Sequence, residues 1–215
     1  MRKSVKSLLW TAAAATVLVA IASSVFIRSI GPFLSVNQPV HGELLVVEGW
    51  LPDYALQEVA EQYLHSPYKL VIVCGGPLEH GMFLSGYGSY ANLGRATLMQ
   101  IADKKDVIAV TAPVTKRDRT YASAVAVKNW LSARHASYGK IDVVTLGVHA
   151  RRSRRVFEKV FGSSASIGVI SIENQDYVPG KWWTSSQGVK TVTMESIAYL
   201  YTVLFFELRR GISGE

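Results

Sequence analysis

The chain has a single cysteine, Cys74, among its 215 residues. No intramolecular disulfide can form, so stability must come from a buried core. One cysteine says nothing about redox compartment, and its apolar setting in "LVIVCGG" makes it a buried thiol rather than a nucleophile. The familiar signatures of catalysis and nucleotide binding are also missing. There is no G-x-S-x-G, no GxxxxGK[ST], no G-x-G-x-x-G after a strand and no H-E-x-x-H. "GYGSYANLG" (Gly86 to Gly94) is glycine-rich but does not follow a strand directly. His41, His65, His80, His135 and His149 lack metal-ligand spacing, so a metal site would need assembly from distant loops, and none is expected. No internal repeat or low-complexity block occurs.

Positive charge is less abundant than it first looks. The formal net charge is +7, from 23 Lys and Arg against 16 Asp and Glu. Arg2, Lys3, Lys6 and Arg28 flank one apolar run, and setting them aside leaves 19 basic residues against 16 acidic, a net +3. That is a weak case for a nucleic-acid partner, and none is expected.

The apolar run is the most pronounced feature. Ser7 to Ile27, "SLLWTAAAATVLVAIASSVFI", is 21 residues without a charge. At about 1.5 Å per residue it spans a hydrocarbon core of about 30 Å. Three cationic residues precede it, which by the positive-inside rule keeps the N-terminus cytoplasmic and exports the remainder. The run exceeds the about 7–15 apolar residues of a signal peptide, which favours a retained anchor over cleavage near "AIA" (Ala20 to Ala22). The expected organisation is an anchor over 1–28, an extended linker over 29–43, and one domain over 44–212.

From Leu44, short apolar runs alternate with longer amphipathic segments. "LLVVE", "LVIVCGG", "VIAVTAP", "DVVTLG" and "IGVISI", starting at Leu44, Leu70, Val107, Asp142 and Ile167, read as five strands. They are continuous rather than alternating, as suits a parallel sheet covered on both faces. Helices are expected from Pro52 to about Leu64, Ser89 to Ala102, Arg119 to Arg134 and Ala150 to Phe161, the last stopped by Gly162. A final helix, Thr191 to Arg210, is interrupted by Glu195 and Glu207 and reads as a packing helix over the sheet. The fold class is therefore α/β: a Rossmann-like, doubly wound, mainly parallel five-stranded sheet preceded by one N-terminal transmembrane helix.

Ligands of such sheets bind beyond the carboxyl ends of the strands. Those ends read "EGW" (Glu48, Gly49, Trp50), "CGG" (Cys74, Gly75, Gly76), "TAPVTKRDRT" (Thr111 to Thr120), "GVHARR" (Gly147 to Arg152) and "ENQDY" (Glu173 to Tyr177). Gly75 and Gly76 permit either a tight turn or close approach of backbone to ligand. Lys116, Arg117 and Arg119 lead into a helix at Thr120, and His149, Arg151 and Arg152 open the next one. Helix N-termini favour anions, and arginine adds paired donors, so an anionic, phosphate-bearing ligand is expected. Cations at a positive dipole end are otherwise unfavourable, unless a bound anion or a carboxylate such as Glu48 or Asp118 offsets them. The ordinary pKa of a histidine side chain lies near neutrality, so a histidine at this position suits a general acid or base, and His149 is the candidate. Arg154, Arg155 and Lys159, further along the helix, read as solvated surface.

Taken in order, these strand ends resemble the YdcF-like family, the SanA and ElyC type of envelope protein, over about Leu44 to Gly162. The family's first Gly-containing turn is matched by Glu48, Gly49 and Trp50. Its Ser/Cys-Gly-Gly turn is matched by Cys74, Gly75 and Gly76, and its threonine-led helix start by Arg119 and Thr120. A histidine followed three residues later by arginine is matched by His149 and Arg152. Family members carry a Glu-Asn pair after the threonine where this chain has Ala122 and Ser123, which marks a divergent member in which Glu48 or Asp118 supplies the carboxylate. The resemblance implies a domain held at the bacterial inner membrane and facing the periplasm or exterior. It implies a role in envelope biogenesis, with peptidoglycan or polysaccharide lipid-linked precursors as ligands. The expectation is binding of a phosphorylated or nucleotide-like metabolite, with Arg119 and Arg152 on the anion and His149 and Glu48 as catalytic groups. The alternative is a membrane-tethered scaffold with a vestigial pocket. Cofactor and oligomeric state are not assigned.

Overall fold

The structure is a computed structural model that describes residues 2–63, 66, 68–79, 85–102 and 107–208. Five strands, β1 (Leu44–Glu48), β2 (Leu70–Gly75), β3 (Val107–Thr111), β4 (Lys140–Leu146) and β5 (Ser166–Ile172), form one sheet in the order β3-β2-β1-β4-β5. Every neighbouring pair is parallel, with Leu44 opposite both Leu70 and Ile141. The helices are α1 (Arg2–Leu34), α2 (Asp53–Gln62), α3 (Tyr90–Ala102), α4 (Arg119–Ser132), α5 (Ala150–Phe161) and α6 (Ser186–Leu208). The expected ends of the second and last helices, at Leu64 and Arg210, lie outside the described residues.

Successive residues of a strand point to opposite faces, and both faces here are covered. Leu45, Val47, Val71, Val73 and Val144 pack against Leu56 and Val59 of α2 and Leu98 of α3. Leu44, Val46, Ile72 and Val143 pack against Val127 of α4 and Phe157 of α5. That double cover is why the strands read as unbroken apolar runs. Phe157 is fully buried, and burial of such a side chain contributes about 1.5–3 kcal/mol. The turn at Gly162 (φ 59°) ends α5 as its sequence predicts. Ser89 caps α3, its hydroxyl accepting the Asn92 N–H at 3.2 Å.

α1 is long and apolar enough to cross a membrane: Leu9–Leu34 has a mean hydropathy of 2.0. It continues six residues past Arg28, through Pro32, where the sequence suggested an extended connection. Proline forgoes a helical hydrogen bond, and docking offsets that loss. Leu34 is buried with Val148, Tyr177, Trp182 and Val192 in a third apolar cluster. A Cβ at Gly31 would sit 2.2 Å from the Pro179 carbonyl oxygen, so glycine lets the helix approach that closely. The segment that follows is pinned as well. Gln38 makes an antiparallel bridge to Val169 on the edge of β5. The buried Asp142 carboxylate accepts the Val40 N–H at 2.7 Å, the Gly42 N–H at 2.8 Å and the Tyr68 hydroxyl at 3.1 Å.

α6 differs from expectation in what it covers. It packs against α1, α5, the 3-10 segment Pro179–Thr184 and the 3-10 turn Gly147–His149, rather than over the sheet.

Candidate functional site

Strand order reverses at β1 and β4, whose outgoing connections lead to opposite faces of the sheet and leave a crevice beyond their carboxyl ends. Trp50, just after β1, and His149, just after β4, meet there with ring centroids 4.8 Å apart, edge to face. Arg152, one turn into α5, lies beside the His149 ring, with Nη2 3.1 Å from Nε2. Its Nη1 donates to the Thr120 hydroxyl at the start of α4, at 3.3 Å. Four of the expected residues, Trp50, Thr120, His149 and Arg152, therefore converge.

The group that organises them is Glu195 of α6, an acid that in sequence is only an interruption of an apolar helix. Arg152 donates to its carboxylate through Nε at 2.5 Å and Nη2 at 3.3 Å. His149 Nδ1 also contacts it, and a carboxylate only accepts, so Nδ1–H is the donor. Burial would raise the Glu195 pKa, but the His149 hydrogen bond and charge and the Arg152 contacts outweigh it and hold the group below the usual carboxylate range. The Glu195 side chain is 6% exposed and that of Arg152 15%, whereas His149 keeps 28% at the rim. The signal that could have revealed Glu195 is its setting, "TVTMESIAYLY": an acid amid apolar helix residues needs a partner.

Tyr177, from the β5 end, adds a second feature. Its side chain is buried, yet its hydroxyl has no hydrogen-bond partner among the described residues. A Cβ at Gly147 would come within 3.9 Å of that oxygen, which places it at the turn leading to His149. Burial and the nearby Glu195 charge push its pKa up to about 12, so it remains a donor at neutral pH.

The other expected residues have different tasks. Glu48 is 2% exposed at the end of β1 and accepts hydrogen bonds from the Ser153 hydroxyl at 3.1 Å and from Thr145. It is enclosed between strand and helix and pairs with no arginine in the described hydrogen bonds. Burial and the Glu48 charge raise the Cys74 thiol, so Cys74 is an inert part of the core. Gly49 and Gly75 serve packing: added Cβ atoms would lie 2.4 Å from the Tyr90 carbonyl oxygen and 2.8 Å from the Tyr90 Cβ. Among the described residues nothing lies within 4 Å of a Cβ added at Gly76, which leaves room there for a ligand's approach. Arg119 does not join Arg152. It pairs with Glu79 at 3.0 Å, with both side chains mostly exposed, a bond worth about 0–1 kcal/mol. Asp118 precedes α4 in the left-handed region (φ 53°) without capping it. Ser123, at a place where the resemblance would have a polar pair, is buried.

Among the described residues no three His, Cys, Asp or Glu side chains gather as a metal site would require. His65 and His80 lie outside the described residues. No protein-family model, no curated protein and no solved structure matches the chain.

Proposed function

We propose that this protein is a membrane-anchored α/β domain of the bacterial inner membrane that binds a phosphorylated or nucleotide-like metabolite in the β1–β4 crevice. Its place is in envelope biogenesis, where the resemblance points to precursors of peptidoglycan or polysaccharide, and the ligand we propose is a lipid-linked one. The observation that carries the reading is the convergence of Arg152, His149, Glu195 and Thr120 where strand order reverses. The apolar α1 with its cationic N-terminal flank supports the anchor.

The chemistry follows from the donors. Glu195 fixes the guanidinium plane, and an anion entering the crevice competes for the outer Nη groups, which suit bidentate pairing with phosphate. The Tyr177 hydroxyl, without a partner among the described residues, offers a further donor beside Gly147. Drawing Nη2 from the imidazole exposes His149 Nε2, while Nδ1 stays on Glu195. A neutral histidine held in that tautomer can accept one proton at Nε2 and, once it has done so, return it.

A second reading, a non-enzymatic scaffold, is favoured by one observation: the hydrogen bonds of Arg152 and Arg119 already go to the chain's own groups. Calorimetric titration of the full chain in detergent with nucleoside diphosphates, sugar phosphates and polyprenyl phosphates separates the two. Binding that falls tenfold or more in Arg152→Ala, and measurably in His149→Ala, is the expected result. Unchanged affinity in both variants removes the site assignment. No binding by wild type leaves the scaffold.

A further inference from the structure

A second basic feature lies at the foot of α1. Arg151, Arg154 and Arg155 of α5 line a cavity of about 320 Å³, together with Val36, Glu158, and Tyr199 and Val203 of α6. Three guanidinium groups against one carboxylate give this lining a net positive charge. Two of the charges, those of Arg151 and Arg154, are held in place. Arg151 donates to the Phe33 carbonyl and lies over the Phe33 ring, 3.8 Å from its centroid. Phe33 in turn meets the Tyr199 ring edge-on at 5.8 Å. Arg154 donates to Glu158 at 2.8 Å and to Gln38.

The depth of this cavity is set by how α1 docks. Trp182 donates its indole N–H to the Ile27 carbonyl, and Arg28 sits over the Trp183 ring at 5.7 Å. Tryptophans at the end of an apolar span mark the membrane–water boundary. From Ile27 to Leu34 the helix rises about 10 Å, so the cavity falls on the headgroup side of that boundary, within reach of arginine side chains. The flank is apolar. α6 carries Met194, Ile197, Leu200, Leu204 and Phe205 in an exposed row, between 54% and 61% accessible. A basic recess at headgroup depth, beside apolar surface on two helices, fits an amphiphilic anion better than a free one.

We propose that this cavity binds the phosphate headgroup of an anionic membrane lipid, whose acyl chains run along the anchor. Arg154 and Arg155 carry the charge attraction, and Arg151 ties the bound headgroup to the end of α1. The basic run of α5 then has two duties: Arg152 faces the crevice, and its neighbours face the bilayer. The inference needs α1 in the membrane but does not depend on what the crevice binds.

The test follows thermal unfolding of the full chain in zwitterionic detergent during titration with phosphatidylglycerol, phosphatidylcholine, inorganic phosphate or glycerol 3-phosphate. Phosphatidylglycerol is expected to raise the midpoint saturably, and the other three to leave it unchanged at the same concentration. Apparent affinity should weaken roughly fivefold for each arginine replaced in Arg154→Gln and Arg155→Gln, the contribution expected of one basic residue at an anionic surface. Val203→Phe, which narrows the cavity without touching its charge, should abolish the shift, while Arg152→Ala should retain it. An equal shift with phosphatidylcholine or inorganic phosphate overturns the proposal. So does an undiminished phosphatidylglycerol response in the doubly substituted protein, or its loss in Arg152→Ala.

Discussion

Replacing Glu195 with glutamine probes the group on which the crevice is built. The substitution keeps the volume and one acceptor oxygen but removes the charge that Arg152 and His149 face at 6% exposure. Breaking a buried ion pair from one side costs about 3–5 kcal/mol, because the remaining charge is left uncompensated. Arg152 keeps 15% exposure and its bond to Thr120, so the lower end applies, about 3 kcal/mol. For a chain of this size that corresponds to a midpoint drop of about 6–12 °C. The pH dependence has a definite sign. Glu195 is held below its ordinary pKa of 4.5 in the folded protein, so its contribution is present above that value. It is lost as pH falls through the lower, folded value. The gap between wild type and Glu195→Gln should therefore be full at pH 7 and narrow in acid. Near-UV circular dichroism of both proteins in detergent, melted at pH 7 and at about pH 3.5, measures it. Replacing Arg152 and Glu195 together by methionine should cost less than Glu195→Gln alone, since no charge is then stranded. A loss below about 0.5 kcal/mol at pH 7, within the usual range for surface substitutions, would refute the account. A gap that does not shrink in acid would do the same.

Two further outcomes follow from the packing. Asp142→Asn turns one acceptor into a donor, facing either the Val40 N–H or the Gly42 N–H and Tyr68 hydroxyl that share the other oxygen, and should cost about 1–3 kcal/mol in a denaturant titration. Hydrogen exchange should then quicken at Val40 and Gly42 before it does in β1. Gly49→Ala forces a methyl toward the Tyr90 carbonyl and should cost about 1–3 kcal/mol, whereas Gly76→Ala, with open space around it, should stay within about 0.5 kcal/mol. If Gly76 borders the ligand, Gly76→Ala should still weaken binding in the titrations above.

Local sequence carried the strands and the helices of the sheet because their signals are local. Apolar runs of five to seven residues specify the strands, and Gly162 at the end of α5 and Ser89 at the start of α3 mark helix limits, without reference to the rest of the chain. The same locality located the crevice, since parallel strands followed by helices place their carboxyl ends together. His149 and Arg152 were legible for that reason. Glu48 was legible as a carboxylate at a strand end, but not as one enclosed by Thr145 and Ser153, residues 97 and 105 positions away. Arg119 read as an equal of Arg152 because both open helices. Only the fold shows it turned outward to Glu79.

The sequence by itself determined an apolar helix long enough to span a membrane, an α/β domain and the ends of its sheet. Tertiary structure decided which charges meet. Glu195 reaches His149 and Arg152 from 46 and 43 residues away, and Asp142 anchors the segment after α1 from about 100 residues away. The reason is physical. Periodicity and capping are fixed by neighbours a few residues apart, whereas the partner of a buried charge is whichever group the packed helices bring within about 3 Å, and no local pattern encodes that.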